Sequence, residues 1–228
     1  MNQAKILEYI VRIIIIFLIL PIHEFAHAWA AKKLGDDTAL YSGRLTLNPL
    51  AHIDPIGAIC LFITGFGWAK PVPVNPIRFK KSRKGMALTA LAGPVSNIIV
   101  AFIVLILYRF ILHTDMYNEA DVSSIINGSN TILVYNMFPI FVSINIGLAV
   151  FNLIPIPPLD GSKILSYFTS AKLDKFFYQY QQYVPIIFLL IIGLGVLDVP
   201  IGWTSGKILN GMWFLTNWVD LIMEAVKN

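Results

Sequence analysis

Two histidines and a glutamate near the start of the chain form its most reactive arrangement of side chains. In the run His23-Glu24-Phe25-Ala26-His27 the histidines stand four residues apart. On a helix such residues share one face, so the two imidazoles can bind one zinc ion. Glu24 lies beside that metal without binding it, where a carboxylate can take a proton from water and pass it to a leaving amine. The run predicts a catalytic zinc site with Glu24 as the general base.

A third metal ligand is needed, because catalytic zinc sites usually have three protein ligands and one open position for water. We expect Asp160 to be this ligand. Two positive charges from zinc and one negative charge each from Asp160 and Glu24 would leave a neutral site, which suits a medium of low dielectric constant. The alternative for Asp160 is a turn residue before Gly161. The alternative for the histidine cluster is a set of polar groups that reach the membrane interface from a helix end.

Composition places these residues in a membrane. Of the 228 residues 57% are hydrophobic and 13% are charged, and the mean hydropathy is +0.70. These values exclude an ordinary soluble protein. Four apolar runs each approach the roughly 20 residues that cross a hydrocarbon core. They are residues 6–20, 86–112, 131–154 and 183–199.

The predicted fold is therefore an all-α polytopic membrane protein with about four transmembrane helices. A further stretch, residues 202–226, is expected either to lie along the interface as an amphipathic helix or to cross as a fifth span. We expect residues 1–228 to form a single membrane-embedded domain, with a core at 10–170 and a C-terminal helical extension at 200–228.

The distribution of positive residues predicts the topology. Residues 32–84 contain nine Lys or Arg, and residues 161–182 contain three Lys, whereas the connection 113–130 has none. The positive-inside rule then puts residues 32–84 and 161–182 in the cytoplasm and the 113–130 loop outside. His27 and Asp160 thus lie at the same depth, toward the cytoplasmic face. Because topology accounts for the basic residues, no nucleic-acid partner is predicted.

Residues 39–76 differ in character from the apolar runs, because glycines and prolines interrupt any long helix. Short strands and turns are expected there. Residues 56–68 are too few to cross as a helix and too apolar for a free loop. They predict a membrane-associated strand pair or re-entrant loop, shielded by the protein. Within residues 39–76, His52 and Asp54 are expected to support the loop structurally, with direct metal binding as the less favoured alternative.

Five motifs together resemble the site-2 protease family of intramembrane zinc metalloproteases. They are the HEFAH run at 23–27 and the segments 43–57, 67–75, 92–97 and 151–161, in the family's order and spacing. The resemblance implies one zinc ion held by His23, His27 and Asp160, with Glu24 as base. It also implies that Asn152 assists by contacting substrate or stabilising the oxyanion. The 18 residues at 113–130 are too few for a PDZ domain, so the chain resembles the family's small branch.

The resemblance further implies the partners. The expected substrate is a single-pass transmembrane protein cleaved in regulated intramembrane proteolysis, and the expected location is a prokaryotic cell membrane. Two other functions stay open from the residues alone. Intramembrane His and Asp also mark ion pathways, which would make the chain a metal-binding protein or transporter. A catalytically silent relative would bind membrane segments as a chaperone.

Overall fold

The computed structural model describes residues 3–64, 68–113, 130–170, 175, 179–180 and 182–227. Most of these residues are helical. The β-type pairing among them is an isolated antiparallel bridge between Ile53 and Ala69. The all-α prediction is confirmed for this part of the chain. The principal helices are α1 (Gln3–Lys33), α2 (Thr38–Tyr41), α3 (Pro49–His52), α4 (Pro55–Thr64), α5 (Ser82–Leu112), α6 (Asn130–Asn152), α7 (Asp160–Phe168), α8 (Val184–Gly193), α9 (Asp198–Leu215) and α10 (Trp218–Lys227).

The end of α1 follows from its sequence. Lys32 and Lys33 occupy the last turn, where positive charge favours the helix dipole. Gly35 then adopts φ +103°, which an L side chain rarely tolerates, and the Asp36 N–H donates back to the Ala31 carbonyl at 2.9 Å. This positive-φ glycine ends the helix. The chain can therefore turn back toward the helix face that carries His23 and His27.

The long helix α5 forms the centre of the structure. It packs against α1, α6 and α7, and α9 packs against α6. A buried cluster joins α5, α6 and α9 through Ala101, Leu105, Val142, Ile146 and Met212. In the described part of the chain, α5 is the helix that is long and apolar enough to cross a membrane, while residues 137–152 of α6 form a shorter apolar helix. The number of spans stays a prediction.

The strand prediction for residues 56–68 is wrong over α4. Residues 55–64 form a helix, since Asp54 Oδ1 accepts from the N–H groups of Ile56 and Gly57 at 3.0 and 2.9 Å and Pro55 starts the first turn. Helix formation satisfies the backbone of this apolar segment internally, as a membrane environment demands. Beyond α4, the Ile53–Ala69 bridge and a Lys70 N–H bond to the His52 carbonyl at 2.8 Å are what the described residues retain of the pairing.

The C-terminal extension packs against the bundle, with α9 against α6 and α10 against α5. Arg109 on α5 is buried and reaches across to this extension. Its guanidinium donates to the Trp213 carbonyl at 2.8 Å, to Thr216 Oγ1 at 2.9 Å and to Asp220 Oδ2 at 2.6 Å. His113 Nε2 lies 3.0 Å from Asp220 Oδ1. These bonds fix the start of α10 against the end of α5.

Asp36 links the end of α1 to the chain that precedes α5. Its carboxylate is fully buried and accepts from the N–H groups of Thr38 at 3.0 Å and Asn75 at 2.6 Å, with Arg78 Nε at 3.9 Å. Burial alone would raise the pKa of Asp36, but the Thr38 and Asn75 hydrogen bonds and the Arg78 charge lower it below its ordinary value. The fold therefore holds Asp36 in its charged form, and residues 70–75 lie alongside α1.

Asp36→Asn is expected to destabilise the protein at neutral pH by about 1–3 kcal/mol. Both carboxylate oxygens of Asp36 accept hydrogen bonds, whereas the side-chain amide of asparagine has only one acceptor oxygen. The folded pKa lies below the unfolded value of about 3.9, so the wild-type contribution is present above that pH and is lost as pH falls through the folded pKa. The advantage of wild type over the variant should thus shrink below about pH 4. Unfolding midpoints in detergent, at neutral pH and below about pH 4, measure this difference in stability. Asp37→Asn is the control, because Asp37 makes no side-chain capping bond. Equal midpoints at neutral pH would contradict the role of Asp36.

Candidate active site

Helices α1 and α7 bring the three predicted ligands together. Asp160 Oδ2 lies 3.0 Å from His27 Nε2 and 3.3 Å from His23 Nε2, and the two Nε2 atoms are 3.0 Å apart. The histidines come from one face of α1, and Asp160 is the first residue of α7. All three side chains are buried. Two segments more than 130 residues apart in sequence thus meet at one point.

These three atoms fit a zinc ion. Ligands bound tetrahedrally at about 2.0–2.1 Å lie about 3.3 Å from one another, close to the spacings here. His27 Nδ1 lies 2.7 Å from the Thr89 carbonyl, so Nδ1 carries the proton that it donates. In neutral His27 the lone pair is then on Nε2, facing His23 and Asp160. Two imidazole nitrogens and one carboxylate oxygen are also a donor set that zinc favours.

A glycine on α5 provides the space for the histidine rings. A Cβ atom on Gly93 would lie 2.4 Å from His27 Nε2 and 2.6 Å from His23 Cε1. Real Cβ atoms essentially never approach other atoms so closely. Gly93 therefore allows α5 to cover the ligand pair, and a larger residue would displace one of the rings.

Glu24 lies next to the ligands and is held by backbone. It is buried, and its Oε2 accepts from the Val72 N–H at 3.0 Å. Glu24, the three ligands and Asn152 all line a cavity of about 720 Å³. Residues 68–74 form one of its walls, since Trp68, Pro71 and Val74 also line it. The predicted base is thus open to the same space as the metal ligands.

Asn152 lies at the end of α6, where it lines the cavity and its Nδ2 donates to the Leu148 carbonyl at 3.0 Å. Asn152 therefore borders the same space as Glu24 and the three ligands. Lys163 also lines the cavity, and its Nζ lies 3.1 Å from Asp160 Oδ1. Because Lys163 bonds one oxygen of Asp160, the other oxygen is the one that faces the histidines. Lys163 was missed at the sequence level, although a lysine one helical turn after Asp160 is a signal for such a contact.

His52 and Asp54 lie outside the ligand cluster. His52 is buried, with Nε2 2.7 Å from the Thr46 carbonyl and Nδ1 3.4 Å from the Arg44 guanidinium. Arg44 in turn donates to the Lys70 carbonyl. Asp54 caps α4. Both residues support the loop, as predicted, and metal binding by either is not indicated.

Comparisons with known proteins agree with this geometry. The family model described as peptidase family M50 matches residues 11–192. YwhC of Bacillus subtilis, whose name proposes a zinc metalloprotease, is 40% identical over 78% of this chain and 78% of its own. Rip2 of Mycobacterium tuberculosis H37Rv is 27% identical over 83% of this chain and 68% of its own. MJ0611 of Methanocaldococcus jannaschii is 28% identical over 72% of this chain and 73% of its own. Rip2 and MJ0611, like YwhC, have names that propose a zinc metalloprotease.

No solved structure gives a significant match. The family match covers most of the chain and contains His23, Glu24, His27, Asn152 and Asp160. The chain therefore belongs to peptidase family M50, the site-2 protease family that its motifs resemble.

Proposed function

We propose that this chain is an intramembrane zinc metalloprotease that hydrolyses peptide bonds within or near the transmembrane segments of single-pass membrane proteins. The observation that carries the proposal is the convergence of His23, His27 and Asp160 within 3.3 Å of one another, beside Glu24. Three ligands leave one coordination position for water or substrate, as catalytic zinc sites require. The names of the relatives support the choice of zinc and of proteolysis.

The chain's own residues can supply the acid–base steps. Bound zinc would polarise the substrate carbonyl and lower the pKa of a water molecule. Glu24 takes the proton of the attacking water and delivers it to the leaving amine nitrogen, which completes hydrolysis of the peptide bond. Asn152 lines the same cavity, and one N–H of its amide donates to the Leu148 carbonyl. Its second N–H would donate to the substrate carbonyl oxygen as that oxygen gains negative charge.

Residues 70–75 are proposed to hold the substrate once its helix has locally unwound. Three of the four N–H groups in this segment are already used, because Lys70 donates to the His52 carbonyl, Val72 to Glu24 and Asn75 to Asp36. Pro71 and Pro73 have no N–H. The carbonyls of Lys70 and Asn75 accept from Arg44 and Arg78. The segment therefore offers the carbonyl groups of residues 71–74, and the N–H groups of an unwound substrate would donate to them. This pairing satisfies substrate backbone in a place where water is scarce.

The proposed location is a prokaryotic cell membrane, with several spans and the active site toward the cytoplasm. The distribution of Lys and Arg supports this orientation. Lys163, half-exposed at the cavity, belongs to the segment assigned to the cytoplasm. A membrane-tethered regulator is one substrate of the proposed kind, which would make the reaction a step of regulated intramembrane proteolysis.

Asp160→Asn tests the ligand assignment. Loss of a partner outside the ligand set alone costs 10–100-fold in metal affinity, so loss of a charged ligand is expected to weaken zinc binding by at least ~100-fold. Zinc content after dialysis and cleavage of a model transmembrane substrate in detergent should both fall. Asp37→Asn is the matched control and should retain both. Full zinc occupancy in the Asp160 variant would refute the assignment, and zinc flux across vesicles without cleavage by wild type would favour a transporter.

A further inference from the structure

A second cavity, of about 360 Å³, lies directly beside the catalytic one. Helices α1, α4 and α6 form most of its wall, and Ile192 and Ile201 contribute from the C-terminal part of the chain. Five residues line both cavities, namely Leu20, Trp68, Ala69, Leu148 and Phe151. Leu20 precedes Glu24 by one helical turn, and Phe151 precedes Asn152. The two spaces therefore share a wall at the residues that adjoin the catalytic groups.

The described walls of the second cavity offer almost no free polar groups. The lining residues with polar side-chain atoms are His52, Asp54 and Trp68, and His52 and one oxygen of Asp54 are hydrogen-bonded within the protein. His52 bonds the Thr46 carbonyl and Arg44, while Asp54 caps α4. Because the other lining residues are apolar, the space favours an apolar occupant, and most polar groups would lose their hydrogen bonds to water there without replacement.

The volume and position indicate which apolar group enters. A cavity of about 150 Å³ can hold a benzene ring, so 360 Å³ accepts a large aliphatic or aromatic side chain with room to spare. A substrate chain that passes Glu24 and the metal ligands in the first cavity brings its neighbouring side chains to the shared wall. We propose that the second cavity is a substrate side-chain pocket, which selects a large apolar residue close to the cleaved bond. This inference rests on the proposed proteolytic function.

Gly147 on α6 is inferred to set the depth of the pocket. It lines the second cavity, and a Cβ atom built on it meets no atom within 4 Å. A side chain at position 147 would thus occupy the space without a clash. Gly147 is a specificity-determining position on this reading, since it leaves room for the substrate side chain.

The test compares model transmembrane substrates that differ only in Ala, Leu or Phe at single positions around the mapped cleavage site. Wild type is expected to prefer Leu or Phe over Ala by at least ~10-fold in kcat/KM at one such position, as apolar pockets discriminate. Gly147→Leu is expected to reduce that preference at least ~10-fold at the same position only. Gly211→Leu is the control, because Gly211 also lies inside a helix with no atom within 4 Å of an added Cβ and lines neither cavity.

Binding of the same peptides to the inactive Glu24→Gln variant separates this inference from the proposed function. A Phe preference in binding that Gly147→Leu removes, with no cleavage by wild type, would refute proteolysis and keep the pocket. Cleavage without side-chain preference at any position would overturn the pocket. The pocket would also be overturned if Gly147→Leu expelled a co-purified lipid and left the preference unchanged, since an acyl chain would then be the occupant.

Discussion

Glu24→Gln is expected to abolish proteolysis while leaving the metal in place. General acid–base catalysis contributes about 10²–10⁴-fold, and a glutamine cannot take the proton from water. Glu24 is outside the ligand cluster of His23, His27 and Asp160, so zinc content should match that of wild type. The glutamine side-chain oxygen can still accept from the Val72 N–H, which preserves the contact that Glu24 makes at 3.0 Å. Cleavage of a model substrate and zinc content of the same preparation measure the two effects.

The control for this variant is Glu224→Gln, which makes the same chemical change on the exposed side of α10. It should cleave like wild type. If Glu24→Gln cleaves as well as wild type, the general-base assignment is wrong and a metal-transport function gains support. If it loses zinc together with activity, Glu24 contributes to the ligand set instead of acting beside it.

Gly93→Ala is expected to weaken zinc binding at least ~10-fold and to lower activity with it. The added methyl group would lie 2.4 Å from His27 Nε2, so either the ring or α5 must move. In a helix interior Ala is ordinarily more stabilising than Gly by about 1 kcal/mol. The sign of the effect therefore distinguishes a steric role from ordinary helix propensity. Zinc affinity by competition with a chelator, and unfolding midpoints of the metal-free protein, measure both quantities.

Gly211→Ala provides the comparison on α9. Position 211 is exposed and a Cβ there meets no atom within 4 Å, so its variant should keep zinc affinity and be as stable as wild type or more. Wild-type zinc affinity in Gly93→Ala would show that α5 lies farther from the histidine rings than described, and the packing of α5 on the site would then need revision.

The ligand set could be predicted because its signals are local or carried by charge. His23 and His27 are one helical turn apart, and that spacing alone puts both rings on one face. Asp160 needed two further sources, the topology from Lys and Arg and the resemblance of its motif to the site-2 protease family. Gly35 ended α1 as glycines of positive φ do. Each of these features depends on residue types and on where they stand along the chain.

The helix α4 was missed although its signal was present. Asn48-Pro49, Asp54-Pro55 and Asn75-Pro76 all begin helical turns, and in each case the Asn or Asp oxygen accepts from an N–H two residues on. Such pairs also occur in turns and at strand breaks, which is the alternative that the sequence analysis favours. An acceptor at the N-cap followed by proline at the first helical position indicates a helix start with equal force. Counting these pairs as caps would have predicted α4.

The contacts that position the base could not be predicted in this way. Glu24 bonds the N–H of Val72, and Asp36 bonds the N–H of Asn75. Nearly every residue carries such a donor, so residue type gives no hint of which one is used. Lys163 and Gly93 are intermediate cases. Their types suit their contacts, but only the arrangement of α5 and α7 around α1 shows what they touch.

The hydrogen bonds between Arg109 and the C-terminal extension affect the order in which the protein folds during biosynthesis. In the described part of the chain its side-chain hydrogen bonds go to residues 213–220, which are translated 104–111 residues after it. Until residues 213–220 have been made, the arginine in this apolar helix lacks these hydrogen-bond acceptors, although the rest of the bundle has already been synthesised. Newly synthesised chains therefore complete this part of their fold last, and a chain truncated before residue 213 would leave the Arg109 guanidinium without these acceptors.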